Sequence, residues 1–154
     1  MSTRGILMKN GIFEVTTNDV ENVIKNNDPN LNLTITVNTE NIHDDKSFIM
    51  TVGLAWGMLK EDLQKIENIN WFNDVLSDFI YSEYEDEYNS FVLVLENWSK
   101  LTLDSIFEFG GYEYNDRKKE DYLEVFNVLI EQFSEYDEDY PEDNLMDFTI
   151  LLVD

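Results

Sequence analysis

The sequence predicts an α/β fold in which a small parallel sheet is covered by helices, and three observations support this class. Residues 91–95 are apolar without interruption and include two valines, which is typical of a central strand buried on both faces. Residues 118–133 carry apolar side chains at spacings of three, four and seven, which indicates an amphipathic helix. A last apolar strand is predicted at residues 148–153, and a strand that follows a helix in this way favours parallel pairing.

The N-terminal part of the chain predicts two strands and one helix. Residues 11–16 are a strand candidate, and residues 17–25 begin with an N-cap pattern and continue as a helix. In residues 31–37, Leu, Ile and Val alternate with Asn and Thr, which predicts a half-buried strand. We therefore expect residues 1–46 to form a β-containing extension packed on the core, and residues 47–154 to form the main α/β domain.

The main domain is predicted to open with a strand at residues 47–52, which places Phe48, Met50 and Val52 on one face. Residues 58–66, and a second segment that starts near residue 70, have the periodicity of helices.

The second half of this domain is less regular between its elements. Residues 101–109 fit either a strand or an irregular crossover, and the glycines at positions 110 and 111 predict a turn. Residues 135–143 are acidic, contain a proline and are predicted to form a loop before the last strand.

The charge of the chain is strongly negative and unevenly distributed. The 154 residues include 33 Asp and Glu against 10 Lys and Arg, which gives a formal net charge of −23. Residues 66–99 and 120–154 contain no Lys or Arg. Such a chain cannot assemble the positive patch that nucleic acids or anionic membranes require. A hydrophobic content of 43% excludes a disordered acidic chain, so we expect a globular protein whose partner is basic.

The residue types that carry catalysis or hold metals are scarce. The chain has no cysteine and a single histidine, His43, in a polar segment, so neither a thiolate nucleophile nor a base with an orienting partner is evident. The acidic runs 85–87 and 137–139 do not have the ligand spacing and turn glycine of a calcium-binding loop. We therefore expect no catalytic activity, no metal and no cofactor.

Two aspartates in the helix near residue 70 form the most informative local pattern. Asp74 and Asp78 lie four positions apart and opposite the apolar positions of the helix, so both carboxylates project from one face. Adjacent carboxylates repel each other, and a basic partner would turn this repulsion into attraction. The same pattern also fits an ordinary solvated helix face.

Three segments in this order resemble the barstar family of small acidic inhibitors. The helix with Asp74, Ser77 and Asp78 is similar to the inhibitory helix of that family, residues 92–98 are similar to its central strand, and residues 125–126 with 147–153 are similar to its last helix and strand. The resemblance covers residues 47–154. It implies a three-stranded parallel sheet with helices packed on it.

The resemblance also implies which residues touch a partner. In the family, the aspartates of the inhibitory helix enter the active-site cleft of a secreted ribonuclease and meet its basic side chains. Carried over, Asp74 and Asp78 are the anchors, with Ser77 between them. Trp71 and Phe72 would supply the aromatic contact that precedes the aspartates, and Glu131 or Gln132 would supply an acidic or polar contact from the last helix.

Two functions from different classes are consistent with these observations. The first is an immunity protein of a toxin–antitoxin type, a monomer that forms a heterodimer with a basic nuclease toxin and occludes its active site. The alternative is a phage-type acidic nucleic-acid mimic that inhibits a restriction or CRISPR nuclease through charge spread over both acidic stretches. The sequence shows neither an apolar run of membrane-spanning length nor a signal-peptide pattern at residues 1–9, so a cytoplasmic location is expected.

Overall fold

The computed structural model describes residues 10–26, 32–84, 86–88, 90–101, 107–109, 112–114, 119–134 and 147–154. These ranges contain five α-helices and six strands. The helices are α1 (Thr17–Asn26), α2 (Asp45–Trp56), α3 (Lys60–Gln64), α4 (Ile69–Tyr84) and α5 (Lys119–Ser134). The strands are β1 (Gly11–Val15), β2 (Asn32–Asn38), β3 (Ser90–Glu96), β4 (Phe107–Phe109), β5 (Tyr112–Tyr114) and β6 (Asp147–Val153).

Four strands form one sheet in the order β1-β6-β3-β2, and every pair in it is parallel. Strand β3 has neighbours on both sides: Leu93 is opposite Ile35 of β2 and Ile150 of β6. Strands β4 and β5 form a separate antiparallel pair. The prediction of an α/β fold with a small parallel sheet covered by helices is therefore confirmed.

One face of the sheet is covered by α1. Val20 and Val23 of this helix pack on alternate residues of the two central strands, among them Val92, Val94 and Leu151. The first turn of α1 is fixed by a reciprocal pair of hydrogen bonds. The Asp19 N–H donates to Thr16 Oγ1 (3.1 Å), and the Thr16 N–H donates to the Asp19 carboxylate (3.0 Å), which satisfies backbone donors that have no partner inside the helix.

The opposite face carries the main core, formed by α2, α3, α4 and α5. Phe91 of β3 and Phe148 of β6 lie at its centre, with ring centroids 6.0 Å apart. Phe133 of α5 packs on both at 5.7 and 5.4 Å, and Trp56 of α2 packs on both at 5.9 and 5.8 Å. This aromatic cluster joins helices that are distant in sequence to the two central strands.

Three tyrosines in and just after the last turn of α4 are half-buried and pack on this core: Tyr81, Tyr84 and Tyr88. The Tyr84 hydroxyl donates to the carbonyl oxygen of Trp56 at 2.7 Å. Burial raises the pKa of Tyr84, and the charges of Glu83, Tyr88 and Glu87 act in the same direction. The hydroxyl therefore remains a donor, and it ties α4 to the end of α2.

The predicted strand at residues 47–52 is wrong, because these residues belong to α2. Phe48, Val52 and Trp56 recur every four residues and are buried together, so the run follows a helical rather than an alternating period. The Asp44 carboxylate accepts from the Ser47 N–H at 2.7 Å, and the Ser47 hydroxyl interacts in turn with the backbone N–H of Asp44. This capping box starts the helix, whereas a short apolar run alone cannot distinguish the two structures.

Most of the other predicted strands and helices are present in the structure. The strands predicted at 11–16, 31–37, 91–95 and 148–153 and the helices predicted at 17–25, 58–66, from 70 and at 118–133 are present. Within the predicted 101–109 segment, residues 107–109 form β4. The turn at 110–111 and the loop at 135–143 lie outside the described residues.

The N-terminal segment supplies both edges of the sheet. Strand β1 pairs with β6, and β2 pairs with β3. The division of the chain after residue 46 stays a prediction, but strands on both sides of that position belong to one hydrogen-bonded sheet.

We expect Asp44→Ala to lower the free energy of unfolding by about 0.5–2 kcal/mol, the usual effect of losing an N-cap side chain. Partial burial acts to raise the pKa of Asp44, but the hydrogen bonds from Ser47 and the neighbouring His43 outweigh it, so the pKa lies below its usual value of 3.8. The stabilisation by the ionised carboxylate is therefore complete above that value and is lost as the pH falls through the folded-state pKa.

Urea unfolding of wild type and Asp44→Ala at about pH 7 and about pH 2.5 measures this effect. The difference in the free energy of unfolding between wild type and Asp44→Ala is expected to be smaller at the lower pH. Glu67→Ala changes an exposed position outside the helices. It measures how much the free energy of unfolding rises when any one negative charge is removed. A difference that is the same at both pH values would contradict the capping role of the ionised group.

We expect Gly53→Ala to destabilise the protein by about 1–3 kcal/mol, although alanine favours helices more than glycine does. A Cβ at Gly53 would lie 2.3 Å from Leu63 Cδ2 and 2.8 Å from Cδ1, and Leu63 is fully buried. The cost of Gly53→Ala should be smaller in a Leu63→Ala background, because the clashing atoms are then absent. Equal costs in both backgrounds, measured by urea unfolding, would show that this contact is not the cause.

Candidate functional site

Helix α4 presents the two predicted aspartates to solvent. Its buried stripe runs along the sheet side of the helix and consists of Ile69, Phe72, Asn73, Leu76, Ser77 and Ile80. Asp74 and Asp78 lie outside this stripe and are both exposed. The helical period places them on one face, one turn apart.

Trp71 lies on the same face, one turn before Asp74. Its side chain is 45% exposed, and its backbone N–H donates to Asn68 Oδ1 at 2.8 Å, which holds the first turn of α4 in place. A tryptophan this exposed next to two carboxylates combines a large apolar surface with negative charge. Interface hot spots are enriched in tryptophan.

Phe72 and Ser77 are not available to a partner, which corrects their assignment as contact residues. Phe72 is 1% exposed and packs edge-on against Phe48, with ring centroids 6.0 Å apart. Ser77 is 7% exposed, and its hydroxyl donates to the carbonyl oxygen of Asp74 at 3.0 Å. Both residues support the helix from its inner side.

Helix α5 packs beside α4 and continues the acidic face. The Gln132 side-chain amide lies 3.4 Å from Asp74 Oδ1, and the Tyr81 hydroxyl lies 3.5 Å from the Gln132 carbonyl oxygen. The Tyr81 ring stacks on Phe133 at 4.6 Å. Glu131, next to Gln132, is exposed. Gln132 thus contacts Asp74 from α5, whereas the contact of Glu131 with a partner stays a prediction.

The charge of these two helices is nearly all negative. Helix α4 contains three carboxylates and α5 contains four, against one basic residue, Lys119, at the first position of α5. Within the described ranges, no basic side chain forms an ion pair with Asp74, Asp78 or Glu131. The exposed face of α4 and α5 thus carries negative charge that is not neutralised within the described chain. We call this face the acidic surface, and it comprises Trp71, Asp74, Asp78, Glu124 and Glu131.

A groove of about 370 Å³ lies between the first halves of α4 and α5. Its lining includes an amide, carboxylates and valines: Asn73, Asp74, Asp121, Glu124, Val125 and Val128. Asn73 is 4% exposed, and its Oδ1 has no hydrogen-bond partner among the described residues. Sequence reasoning missed this groove, because its two walls come from helices about fifty positions apart.

His43 lies at the surface, and the described part of the acidic runs belongs to no metal-binding group. The His43 side chain is 54% exposed and lies 3.5 Å from the Asp44 carboxylate at the start of α2. In the part of the chain that the structure describes, no three His, Cys, Asp or Glu side chains converge closely enough to hold a metal ion. Residues 137–139 lie outside that part, as does Glu85.

None of the described helices has the length and apolar character needed to cross a membrane.

No protein-family model matches the chain, and no curated protein or solved structure shows significant similarity to it.

We expect the neighbouring aromatic residues of α4 to differ sharply in their effect on stability. Phe72→Ala should lower the free energy of unfolding by about 3–5 kcal/mol, because it leaves a cavity in the core. Trp71→Ala should change it by no more than about 0.5 kcal/mol, because the side chain lies at the surface. Urea unfolding measures both changes, and a large loss for Trp71→Ala would show that this residue is structural.

Proposed function

We propose that this protein is an inhibitor that binds a basic nuclease and covers its active site with the acidic surface. The observation that carries the proposal is the joint exposure of Trp71, Asp74 and Asp78 on α4, with no basic side chain paired to either aspartate among the described residues. Holding like charges together costs free energy. A partner with complementary positive charge recovers that cost on binding.

The chemistry of nuclease active sites suits this surface. Nucleases bind phosphate groups through Arg and Lys side chains, and carboxylates form strong, charge-assisted hydrogen bonds with these groups. Two carboxylates one helical turn apart can occupy positions that phosphates take in the substrate. Trp71 supplies the large apolar contact that carboxylates alone do not provide.

The finer proposal is that the chain is barstar-like. The three segments that carry the resemblance correspond to α4, β3 and the pair α5–β6. Because residues 47–52 are helical, the first strand of a barstar-like trio is β2, which pairs with β3. The proposed barstar-like unit therefore starts no later than β2, and β1 is the addition at the other edge of the sheet.

A distributed nucleic-acid mimic is the second candidate. It is favoured by exposed acids away from α4 and α5, including Glu61 and Asp62 on α3. In a mimic, many carboxylates replace the phosphates of a duplex, and each contributes a similar small share of the binding free energy. In a focal inhibitor, Asp74 and Asp78 contribute most of it.

In both cases the protein acts by binding and not by catalysis. We place it in the cytoplasm, as a monomer that forms a heterodimer with its nuclease. This location suits an immunity protein, because a nuclease toxin attacks nucleic acid inside the cell that makes or receives it.

Binding to a panel of small basic ribonucleases and deoxyribonucleases tests the proposal. We expect one nuclease to bind tightly and to lose activity in the complex. Asp74→Asn/Asp78→Asn should weaken that binding by at least about 30-fold, the effect of losing about 2 kcal/mol. Calorimetry measures the affinity, and circular dichroism verifies that the fold is retained.

Glu61→Gln/Asp62→Asn is the matched control. It also removes two negative charges, but from exposed positions of α3, elsewhere on the protein. This control variant should change the affinity for the nuclease by no more than a few-fold. For the wild-type protein, association with the nuclease should slow as the salt concentration is raised. Equal losses in the two double variants, with weak binding to many basic proteins, would reject the focal inhibitor and favour the distributed mimic.

A further inference from the structure

Strand β2 forms one edge of the parallel sheet and lacks the features that usually prevent an edge strand from pairing further. Among the described strands, β2 pairs only with β3. The outer side of an edge strand presents backbone N–H and C=O groups that can pair with another strand, and proteins usually prevent this with charged side chains, proline, a bulge or a very short strand. Residues 32–38 include no charged residue and no proline, and all seven pair with β3 without a bulge.

The other edge of the sheet differs from β2 in length and charge. Strand β1 has five residues, and its Glu14 is exposed. An exposed charge on an edge strand disfavours pairing with an identical strand, because like charges come close together. The chain has 33 acidic residues among 154, so a strand edge of seven uncharged residues is an exception to its general composition.

The order of side chains along β2 is symmetric about its central residue, Ile35. Read in either direction, the strand runs asparagine, aliphatic residue, threonine, isoleucine, threonine, aliphatic residue, asparagine. In an antiparallel pair of two such strands centred on Ile35, Leu33 of each copy lies opposite Val37 of the other, and Thr34 lies opposite Thr36. Directly opposite residues share one face of the sheet. A shift by one residue would place aliphatic side chains opposite threonines, so the side-chain pattern selects the centred register.

Both faces of β2 have side-chain surface that a second strand would cover. Leu33 and Ile35 pack on the main core but are only half-buried. Thr34 and Thr36 lie on the face that α1 covers, where Thr34 is half-buried and Thr36 is exposed. Cross-strand pairs of β-branched residues and of threonines stabilise antiparallel strands.

We propose that β2 pairs with β2 of a second copy of this chain, in antiparallel register centred on Ile35, and so joins two four-stranded sheets into one. A twofold dimer uses the same surface patch on both subunits, so that patch must be complementary to itself. The symmetric order of β2 meets this requirement. A strand of an unrelated protein would not need a symmetric order, which is why a second copy is the occupant.

The contact between two β2 strands is weak. A single strand pair is smaller than the roughly 1,200 Å² that a stable interface buries, and two chains that each carry a formal net charge of −23 repel each other. The dimer therefore forms at high protein concentration, and the dilute chain remains the monomer that meets its nuclease. The inference is independent of the inhibitor function, because β2 contributes no residue to the acidic surface.

Sedimentation equilibrium of the full chain, from about 10 µM to about 1 mM, measures the association. We expect a monomer–dimer equilibrium whose association constant rises at least about threefold between about 50 mM and about 500 mM NaCl, because salt screens the repulsion between the copies. Binding to a basic nuclease has the opposite salt dependence, which keeps the two proposals separate. A chain that stays monomeric over both series would overturn the dimer.

Nuclear magnetic resonance of the ¹⁵N-labelled full chain locates the contact. Backbone amide signals of residues 33–37 should shift between dilute and concentrated samples, and alternate amides of this strand should exchange more slowly with solvent in the concentrated one. Concentration-dependent shifts elsewhere, with these signals unchanged, would assign the dimer to another surface and refute the pairing of β2.

Thr34→Lys/Thr36→Lys tests the register against the general effect of charge. In the centred register this double variant places two pairs of lysines directly opposite each other, so the association constant should fall at least about tenfold. Glu14→Lys on β1 is the matched control, because both variants make the net charge of −23 less negative by two units. Charge repulsion alone would strengthen association in both variants. Equal effects would therefore reject β2 as the contact.

A complementary variant provides a rescue. Thr34→Glu/Thr36→Glu should also lose self-association, but a mixture with the lysine variant should form a mixed dimer, because each lysine then lies opposite a glutamate. A mixture that stays monomeric, with both variants folded by circular dichroism, would overturn the centred register. If either variant does not fold, the wild-type signals of residues 33–37 decide.

Discussion

The structure depends on the burial of strand β3 on both faces. A parallel strand in the middle of a sheet directs its side chains alternately to the two faces of the sheet, and helices must cover both faces. Phe91, Leu93 and Leu95 are covered by the four helices α2 to α5, whereas Val92 and Val94 are covered by α1. This requirement places α4 and α5 side by side on one face. The acidic surface is the outer side of the helices that cover this strand.

The same packing makes the excess of negative charge tolerable. With a formal net charge of −23, the compact state is opposed by repulsion at every acidic position. Burial of large aromatic side chains, with Trp56, Phe91, Phe133 and Phe148 in mutual contact, stabilises the compact state without relying on ion pairs between helices α4 and α5. Among the described residues, Asp74, Asp78 and Glu131 accordingly form no ion pair with a basic side chain.

The sequence predicted the elements whose periodicity extends over many residues. Helix α5 was predicted from a helical spacing that extends over sixteen residues. Strand β3 was predicted from a different signal, an uninterrupted apolar run that contains two valines. Residues 47–52 are too few to separate a period of two from a period near four, and the deciding signal was the polar pair Asp44 and Ser47 at the start of the run. For the site, helical phase alone places Asp74 and Asp78 outward and Phe72 inward. The groove at Asn73 depends on how two distant helices pack, which local periodicity does not encode.

The position of β6 between β1 and β3 has a consequence for the order of folding during synthesis. Among the described strands, β1 pairs only with β6, so β1 has no neighbour in the sheet until residues 147–153 have been synthesised. Strands β2 and β3, with the helices between them, can assemble earlier. Pairing between segments this distant in sequence must close a long loop and is therefore slow, so we expect β1 to join the sheet after β2 and β3 have paired.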